Sequence, residues 1–298
     1  MSRASDKQAL LLGGLLLVVA LVCFVILDTT TKWVTQTVPP LMALWALFGV
    51  QSLVSLGHVA SRRGLSSLRT TRLKWHVLRG TLLLAVQGLA FFSLKYLPVG
   101  EFTAMAMTTP LMVTLLASRI LGEHVSLYRL LLVGGGLAGT LIIVRPGSGA
   151  FGWAVLLPMG LVLFNTAYQL LTSRMARSED AVNTQAFTGI TAFACLTLAL
   201  PWIWAPLPDL QAGLGLLVMG LAASAGNLLF ILAFERAPAA TLTPYMYLQI
   251  GLGILSGWLV FSHVPDTQSF IGMALIAACG VAGAVLTLHE RHRAAVAT

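Results

Sequence analysis

This sequence predicts an all-α integral membrane protein with ten transmembrane helices, arranged as two inverted five-helix repeats. The prediction depends on the composition, the length of the apolar stretches and a similarity between the two halves of the chain. Hydrophobic residues make up 57% of the 298 positions and charged residues 9%, whereas an ordinary soluble domain carries about 25% charged residues. Such a chain cannot cover its surface with polar groups, so lipid must be its solvent.

Ten apolar stretches are predicted to cross the bilayer. Most of them approach the ~20 residues that a spanning helix needs. Eight are free of Lys, Arg, Asp and Glu: residues 9–27, 33–61, 102–118, 151–173, 182–204, 210–234, 237–265 and 267–289. Two shorter runs, 80–94 and 130–144, are flanked by Arg79 and Lys95 and by arginines at 129 and 145. We expect these long side chains to snorkel to the interface and extend both runs to spanning length.

The distribution of basic residues predicts the orientation of the chain. With a cytoplasmic N-terminus, one side of the membrane collects fifteen Lys and Arg residues and the other only Lys32, Lys95 and Arg145. Cytoplasmic loops carry such an excess, so we expect both termini in the cytoplasm and the chain in the inner (plasma) membrane. The net charge of +8 forms no continuous basic face, so no nucleic-acid partner is expected.

The two halves of the chain are similar to each other. A shift of 140 residues aligns residues 79–121 with 219–261 and places a proline in the same short turn of each half. The same shift pairs Gln87 with Asn227, each a lone amide in an apolar helix. We therefore expect an ancestral unit of five spans that occurs twice.

We predict a first repeat at residues 1–145 and a second at 150–298, joined by a short turn at 146–149. An odd number of spans inverts the second copy, so equivalent loops should differ in charge. The loop at 62–74 is strongly basic, and its counterpart at 206–211 has no Lys or Arg. Inverted repeats that meet at the bilayer midplane are typical of secondary transporters.

Further sequence features carry a family resemblance. Leu121-Gly122-Glu123 follows the fourth span, and the fifth and tenth spans are rich in glycine. With two five-helix halves, the chain resembles the drug/metabolite transporter superfamily, EamA type, and most resembles YddG-type exporters of aromatic and hydrophobic amino acids. The resemblance covers nearly the whole chain and implies a central cavity lined by spans 1, 3, 4, 6, 8 and 9. The second half departs from it in one loop, with Ser262-His263 in place of Gly-Glu.

Polar side chains inside the hydrocarbon region mark either helix contacts or a substrate path. The candidate substrate-binding residues lie on spans 3, 4, 6, 8 and 9: Gln87, Phe91, Met107, Thr108, Asn165, Tyr168, Asn227, Tyr245, Tyr247 and Gln249. On span 9, helical geometry allows either Tyr245 with Gln249, or Tyr247, to face the site, but not all three. The alternative for each amide is that it joins two neighbouring helices.

Two prolines are candidate hinges. Pro110 in span 4 removes a backbone hydrogen bond and frees the carbonyl of Ala106, which a substrate is able to use. Pro244 gives span 9 a second flexible point. A plain kink is the alternative, because membrane helices tolerate proline.

Several kinds of chemistry are not expected. Residues 134–139 match G-x-G-x-x-G, but they lie inside a span with no preceding strand, so we reject dinucleotide binding. The histidines are dispersed and the three cysteines lie in apolar runs, so we expect no metal site, disulfide framework or cofactor. The sequence contains no recognisable catalytic triad or carboxylate pair, so we do not expect an enzyme.

The sequence thus predicts an exporter of aromatic or hydrophobic amino acids and related metabolites that works by alternating access. Because no charge is expected mid-membrane, the substrate should be a neutral or zwitterionic solute with an apolar body. Its partners would be this small molecule and membrane lipid, and a monomer is the default expectation. The alternatives are a carrier of another neutral metabolite or toxic analogue, and a polytopic enzyme or scaffold. Asp28 is either a proton-coupling group or a solvated helix end, and facilitated diffusion stays open.

Overall fold

A computed structural model describes residues 3–62, 64, 70, 72–120, 127–145, 152–175, 181–237 and 239–297. The described part of the chain is entirely helical and contains no strand. Nine of its helical segments are long and apolar enough to cross a membrane. The all-α transmembrane fold is confirmed. The predicted motif at 121–123 and the predicted junction at 146–149 lie outside the described residues.

Twelve α-helices and one 3₁₀ helix make up the described fold. The α-helices are α1 Arg3–Val34, α2 Pro40–Arg62, α3 Leu73–Tyr96, α4 Val99–Ala106, α5 Thr109–Ile120, α6 Leu127–Val144, α7 Leu156–Met175, α8 Ala181–Ile203, α9 Leu210–Arg236, α10 Ala239–Met246, α11 Leu248–Phe261 and α12 Thr267–Ala297. The 3₁₀ helix, Gly152–Val155, leads into α7. Eight of the ten predicted spans are therefore single helices, while spans 4 and 9 are each divided in two.

The two divided spans break at equivalent places. Between α4 and α5, the N–H of Thr108 donates to the carbonyl of Met105 at 3.2 Å, and between α10 and α11, the N–H of Tyr247 donates to the carbonyl of Pro244 at 3.3 Å. Both are bonds to the third residue back, which tighten the helix for one turn. Every residue number of α10 equals that of α4 plus 140. The 140-residue shift that aligns the sequence thus also relates the bounds of these two helices.

The position of Pro110 differs from the sequence-based expectation. Instead of interrupting a continuous helix, Pro110 is the second residue of α5, and the break at Met107 and Thr108 precedes it. Proline is tolerated in a first helical turn, because its missing N–H has no intrahelical acceptor there. Pro244 does lie inside a helix, α10, and the break at Tyr247 follows it.

The chain forms two compact units, each drawing on both halves of the sequence. Unit 1 comprises Met1–Ile26, Pro98–Gly152 and Ala225–Thr298, and unit 2 comprises Leu27–Leu97 and Trp153–Ser224. Helices α1 and α9 each contribute one end to unit 1 and the other end to unit 2. The predicted repeats at 1–145 and 150–298 and these compact units therefore divide the chain differently.

Unit 2 is built on two helix pairs. Helices α3 and α7 run antiparallel: Tyr96 stacks edge-on against Trp153 at one end, with ring centroids 5.2 Å apart, and Leu89 faces Gly160 further along. Helices α2 and α8 pack through Trp45 and Phe193, whose rings stack at 5.6 Å. The buried apolar cluster of this unit includes the fully buried side chains Leu44, Leu47 and Phe48.

Unit 1 contains a very close crossing of α6 and α12. A Cβ placed on Gly139 would lie 2.8 Å from the carbonyl oxygen of Gly272, and a Cβ on Gly272 would lie 2.6 Å from that of Gly139. Both distances are far shorter than real Cβ contacts, so backbone meets backbone here. Small residues permit such contacts in membrane proteins, where association depends on van der Waals packing.

We expect Gly139→Ala to destabilise the protein, because the added methyl group forces two helix backbones apart. Overpacking of this kind costs typically 1–3 kcal/mol. The matched control is Gly134→Ala on the same helix, where a Cβ meets nothing within 4 Å; alanine there should be neutral or stabilising, because it favours helix more than glycine does. Thermal unfolding in detergent measures both variants. Equal midpoints would contradict the close crossing.

The start of α12 is fixed by Asp266. Its Oδ1 accepts a hydrogen bond from the N–H of Ser269 at 2.8 Å, which caps the helix, and its carboxylate forms an ion pair with Arg145, the residue after α6. Hydrogen bonds from the Arg145 guanidinium and from Ser269 hold the pKa of Asp266 well below its usual value. This stabilisation is therefore complete above the unfolded-state pKa of about 3.9 and is lost as the pH falls towards the folded-state pKa.

Two substitutions of Asp266 separate the ion pair from the cap. Asp266→Asn keeps a good capping side chain and removes the ion pair, so it should cost at most about 1 kcal/mol at neutral pH. Asp266→Ala removes both and should cost about 1 kcal/mol more. Thermal unfolding at several salt concentrations is the measurement: the gap between wild type and Asp266→Asn should narrow in high salt and below about pH 4. A gap independent of salt and pH would contradict the ion pair.

Candidate functional site

The inward face of α3 is open at its middle. Gly80, Phe91 and Leu94 lie on the same helical face as Gln87, seven residues before it and four and seven residues after it, and all three are buried. Gln87 itself is only half-buried. A face that is closed at both ends and accessible between them indicates an opening in the helix packing at the level of Gln87.

The Gln87 amide is available to a ligand. It makes no hydrogen bond to any residue of the described chain, and it is not among the polar atoms sealed from solvent. An amide offers both a donor and an acceptor group, and burying it without partners is costly. In this position Gln87 can bind water or a polar solute.

Asn227 has the same local geometry on α9. Gly220 and Ala223, seven and four residues before it, share its helical face and are buried, while Asn227 is half-buried. Within the described part of the chain its amide also has no hydrogen-bond partner. Gln87 belongs to unit 2 and Asn227 to unit 1.

A second amide pair lies on α7, in unit 2. Gln169 Nε2 approaches Asn165 Oδ1 at 3.5 Å, a long contact that leaves Asn165 Nδ2 and Gln169 Oε1 for other partners. Both residues are half-buried and share a helical face with the buried Leu161 and Val162. Asn165 thus stays a candidate binding residue, together with Gln169.

Tyr168, by contrast, is held by a buried arginine. The Nη2 of Arg79 donates to the Tyr168 hydroxyl at 2.6 Å, and the guanidinium carbon lies 4.7 Å from the centroid of the Tyr168 ring. Arg79 Nε donates to the hydroxyl of Thr172 at 2.8 Å. Its Nη1 donates to the Thr184 carbonyl at 3.2 Å and to the Thr188 hydroxyl. One side chain therefore joins α3, α7 and α8, and the Tyr168 hydroxyl is committed to it.

The expectation that Arg79 snorkels to the interface is wrong. Arg79 lies inside the span Leu73–Tyr96 and its exposed fraction is 5%. Asp28 likewise lies within the span Leu11–Val34 and is not at a helix end. The signal in the sequence for Arg79 is the group of hydroxyl residues Tyr168, Thr172 and Thr188, which supply three of its four acceptors; the fourth is the backbone carbonyl of Thr184.

The remaining candidates on spans 3 and 4 are less accessible. Phe91 is buried in the core of unit 2. Thr108 is buried in unit 1, and its hydroxyl donates to the carbonyl of Met105 at 2.7 Å. Met107, at the break between α4 and α5, is half-buried.

The alternatives on span 9 are separated by the structure. The side chain of Tyr247 is buried, and it fills the space beside Gly280, where a Cβ would meet its ring. Tyr245 points outward, with 48% of its surface exposed, and Gln249 is half-buried. Tyr247 is therefore the tyrosine that faces inward, and it serves packing between α12 and the break of span 9.

A carboxylate and an imidazole that sequence reasoning did not connect lie together in unit 1. Glu101, in the first turn of α4, is 1% exposed. Its Oε1 lies 3.0 Å from Nε2 of His263, just after α11, and its Oε2 is buried without a hydrogen-bond partner. His263 is the residue at which the second half departs from the family pattern, so this departure creates a contact to a membrane helix.

Comparison with known proteins agrees with this architecture. Residues 11–145 match the EamA-like transporter family. Over this first half, the chain is therefore similar to EamA-like transporters. It is 29% identical to a riboflavin transporter of Rhizobium johnstonii, over 92% of this chain and 91% of that protein. It is 24% identical to an S-adenosylmethionine uptake transporter of Rickettsia prowazekii, over 84% of each.

The fold of this transporter also occurs in a solved structure. A crystal structure matches with a TM-score of 0.64 and 22% sequence identity, and the match covers 94% of this chain and 98% of that one. The predicted EamA resemblance is confirmed, and a multi-pass membrane transporter rather than an enzyme is established. The curated relatives named above are carriers of riboflavin and of S-adenosylmethionine, so the narrower resemblance to amino-acid exporters gains no support from them.

For this transporter we expect Tyr168→Phe to lower stability, because it removes an acceptor from the buried Arg79 guanidinium. Hydrogen bonds to charged groups contribute about 1.5–3 kcal/mol. Tyr245→Phe is the matched control, since its hydroxyl has no partner in the described chain and its ring is exposed. Thermal unfolding in detergent compares the two. If Tyr245→Phe lowered the unfolding midpoint as much as Tyr168→Phe, the hydrogen bond between Arg79 and Tyr168 would not contribute specifically to stability.

Proposed function

We propose that this chain is an EamA-like transporter that carries a neutral heteroaromatic metabolite of the riboflavin type across the inner membrane by alternating access. The observation that carries the proposal is the set of half-buried amides on packed helix faces. Gln87 and Asn227 have no hydrogen-bond partner in the described chain, and Asn165 and Gln169 are only loosely paired. Helices that served packing alone would be expected to pair such groups.

The chemistry of a flavin suits these side chains. The edge of its ring system alternates carbonyl and N–H groups, which Asn and Gln amides match with one acceptor and one donor each. Its polyhydroxylated chain needs neutral hydrogen-bonding partners, and its planar ring needs apolar surroundings. Small-molecule sites commonly combine a mainly apolar wall with a few polar groups that fix orientation. The similarity to riboflavin transporters over most of the chain points to the same substrate class.

Export of aromatic or hydrophobic amino acids fits the structure less well. A zwitterion carries an ammonium and a carboxylate, and inside a membrane both need strong partners. Arg79, a buried cation within a span of unit 2, is already bound by three hydroxyl groups and one carbonyl, so it is not available as the partner of a substrate carboxylate. A neutral metabolite avoids this cost.

Three further features complete the proposal. The proposal includes five-helix repeats at 1–145 and 150–298, in which Gln87 and Asn227 are equivalent, and cytoplasmic termini, which the excess of basic residues on one side predicts. The breaks at Met107–Thr108 and Tyr247, beside Pro110 and Pro244, are the points at which spans 4 and 9 bend. The named relatives include uptake carriers, so both directions of transport need to be measured.

Transport in proteoliposomes tests the substrate. Purified protein is reconstituted, and uptake and efflux of labelled riboflavin, S-adenosylmethionine, phenylalanine and tryptophan are compared with protein-free vesicles. We expect saturable riboflavin movement that the amino acids do not compete with. Transport of phenylalanine or tryptophan without riboflavin would overturn the proposal and restore the amino-acid assignment. Movement of S-adenosylmethionine alone would also overturn it.

The amides provide the matching variants. Gln87→Ala and Asn227→Ala should each reduce kcat/KM for riboflavin about three- to tenfold, because one hydrogen bond contributes about 0.5–1.5 kcal/mol. Gln211→Ala is the control, since Gln211 is an exposed amide at the start of α9, and it should transport like the wild type. The thermal midpoint of each variant distinguishes lost binding from lost folding. If Gln87→Ala and Asn227→Ala both transported riboflavin like the wild type, these two amides would not bind the substrate.

A further inference from the structure

A cavity of about 320 Å³ lies at one end of unit 2, where α3 begins and α7 ends. Its lining residues are Arg72, Trp75, Leu171, Arg174 and Met175. The substrate assignment does not use this cavity, which lies at the helix ends while the amides lie at the middle of the spans. It combines two arginines, an aromatic ring and two apolar side chains in one recess.

The arginines give the recess its chemistry. A guanidinium presents a planar fork of N–H donors that binds phosphate oxygens in pairs, and it is more weakly hydrated than an ammonium, so it is suited to partly buried anion sites. Arg174 is exposed and makes no hydrogen bond within the described chain. None of the described residues that line the cavity is Asp or Glu. A phosphate is therefore the group that these residues fit.

A third cation, Arg79, lies further along α3. Trp75 and Arg79 are four residues apart on α3 and share one helical face, and Arg72 is the N-cap residue that directly precedes this helix. Arg79 is seven residues from Arg72, which is about 10 Å along the helix. All of its partners are neutral hydroxyl or carbonyl groups. Its positive charge is thus uncompensated by any described residue, and in a medium of low dielectric constant it attracts an anion over this distance.

The surroundings of the recess identify the kind of phosphate. Trp75 is half exposed at the start of α3, where an indole ring lies at the level of lipid headgroups. Leu73, Val77 and Leu78 are exposed beside it and present an apolar surface to acyl chains. We propose that this recess binds the phosphate of an anionic phospholipid, with Arg72 and Arg174 on the phosphate and the acyl chains along the exposed face of α3. The proposal is independent of the transported substrate.

Lipid-dependent thermal stability tests the site. The wild type and the Arg72→Gln/Arg174→Gln double variant are unfolded in detergent with added phosphatidylglycerol or phosphatidylcholine. Phosphatidylglycerol should raise the wild-type midpoint by about 4 °C or more relative to phosphatidylcholine, and the double variant should lose most of this difference. Arg236→Gln, at the exposed end of α9, is the matched control and should respond like the wild type. An equal response of the double variant would overturn the proposal.

Inorganic phosphate distinguishes the two sources of the ligand. If the recess served a soluble phosphate compound, millimolar phosphate would stabilise the wild type as much as phosphatidylglycerol does, and that outcome would overturn the lipid assignment. We expect phosphate alone to give less than a quarter of the lipid effect, because it lacks the acyl chains.

A second readout uses the wild-type arginines and is therefore independent of whether the double variant folds. Brominated phosphatidylglycerol should quench tryptophan fluorescence more strongly than brominated phosphatidylcholine, and Trp75→Phe should remove this extra quenching. Trp258→Phe, an exposed tryptophan in unit 1, should leave it unchanged. Extra quenching that survives in Trp75→Phe would place the anionic lipid elsewhere and overturn the proposal.

Discussion

A chain dissolved in lipid must satisfy its backbone hydrogen bonds within its own helices, because the surrounding hydrocarbon offers no donor or acceptor. This constraint explains the helices of the described fold and also where they stop. The two breaks inside spans occur at Thr108 and Tyr247, both buried among other helices. At each break the hydrogen bond shifts to the third residue back and is not lost. Irregular backbone is thus confined to places where protein, not lipid, surrounds it.

The same constraint applies more severely to charge. Arg79 lies within a span, and the cost of removing a guanidinium from water is offset by three hydroxyl groups, one carbonyl and an aromatic ring from two other helices. These partners accept hydrogen bonds from the guanidinium, but none of them carries a negative charge. The residue therefore joins α3, α7 and α8 through its guanidinium.

The parts of the structure that the sequence could predict are those governed by local rules. Span length and composition identify the helices, and the 140-residue shift anticipates that α4 and α10 have the same bounds. The failures involve contacts between distant residues. The partners of Arg79 lie about 90 to 110 positions away, so snorkelling was the natural local interpretation. The sequence predicts a helix interruption at Pro110, whereas the break precedes it at Met107 and Thr108. The sequence does not show on which side of a proline a helix is interrupted.

Partial predictability also describes the candidate site. Gln87, Asn165 and Asn227 were recognisable because a lone amide in an apolar helix is conspicuous. Tyr168 belonged to the same helical stripe, yet its hydroxyl is taken by a cation that the local pattern does not connect to it. The sequence does not decide between Tyr247 and the pair Tyr245 and Gln249, because a helix break changes the direction of the side chains that follow it.

The crossing of α6 and α12 has a mechanical consequence. Where Gly139 meets Gly272, no side chain lies between the two backbones that a change of rotamer could rearrange. Sliding or separating these helices would break the close backbone contacts and leave a void between them. We therefore expect α6 and α12 to move as one rigid pair. If unit 1 changes conformation during a transport cycle, we expect the interrupted helices α4–α5 and α10–α11 to bend at their breaks, because α6 and α12 have no such break.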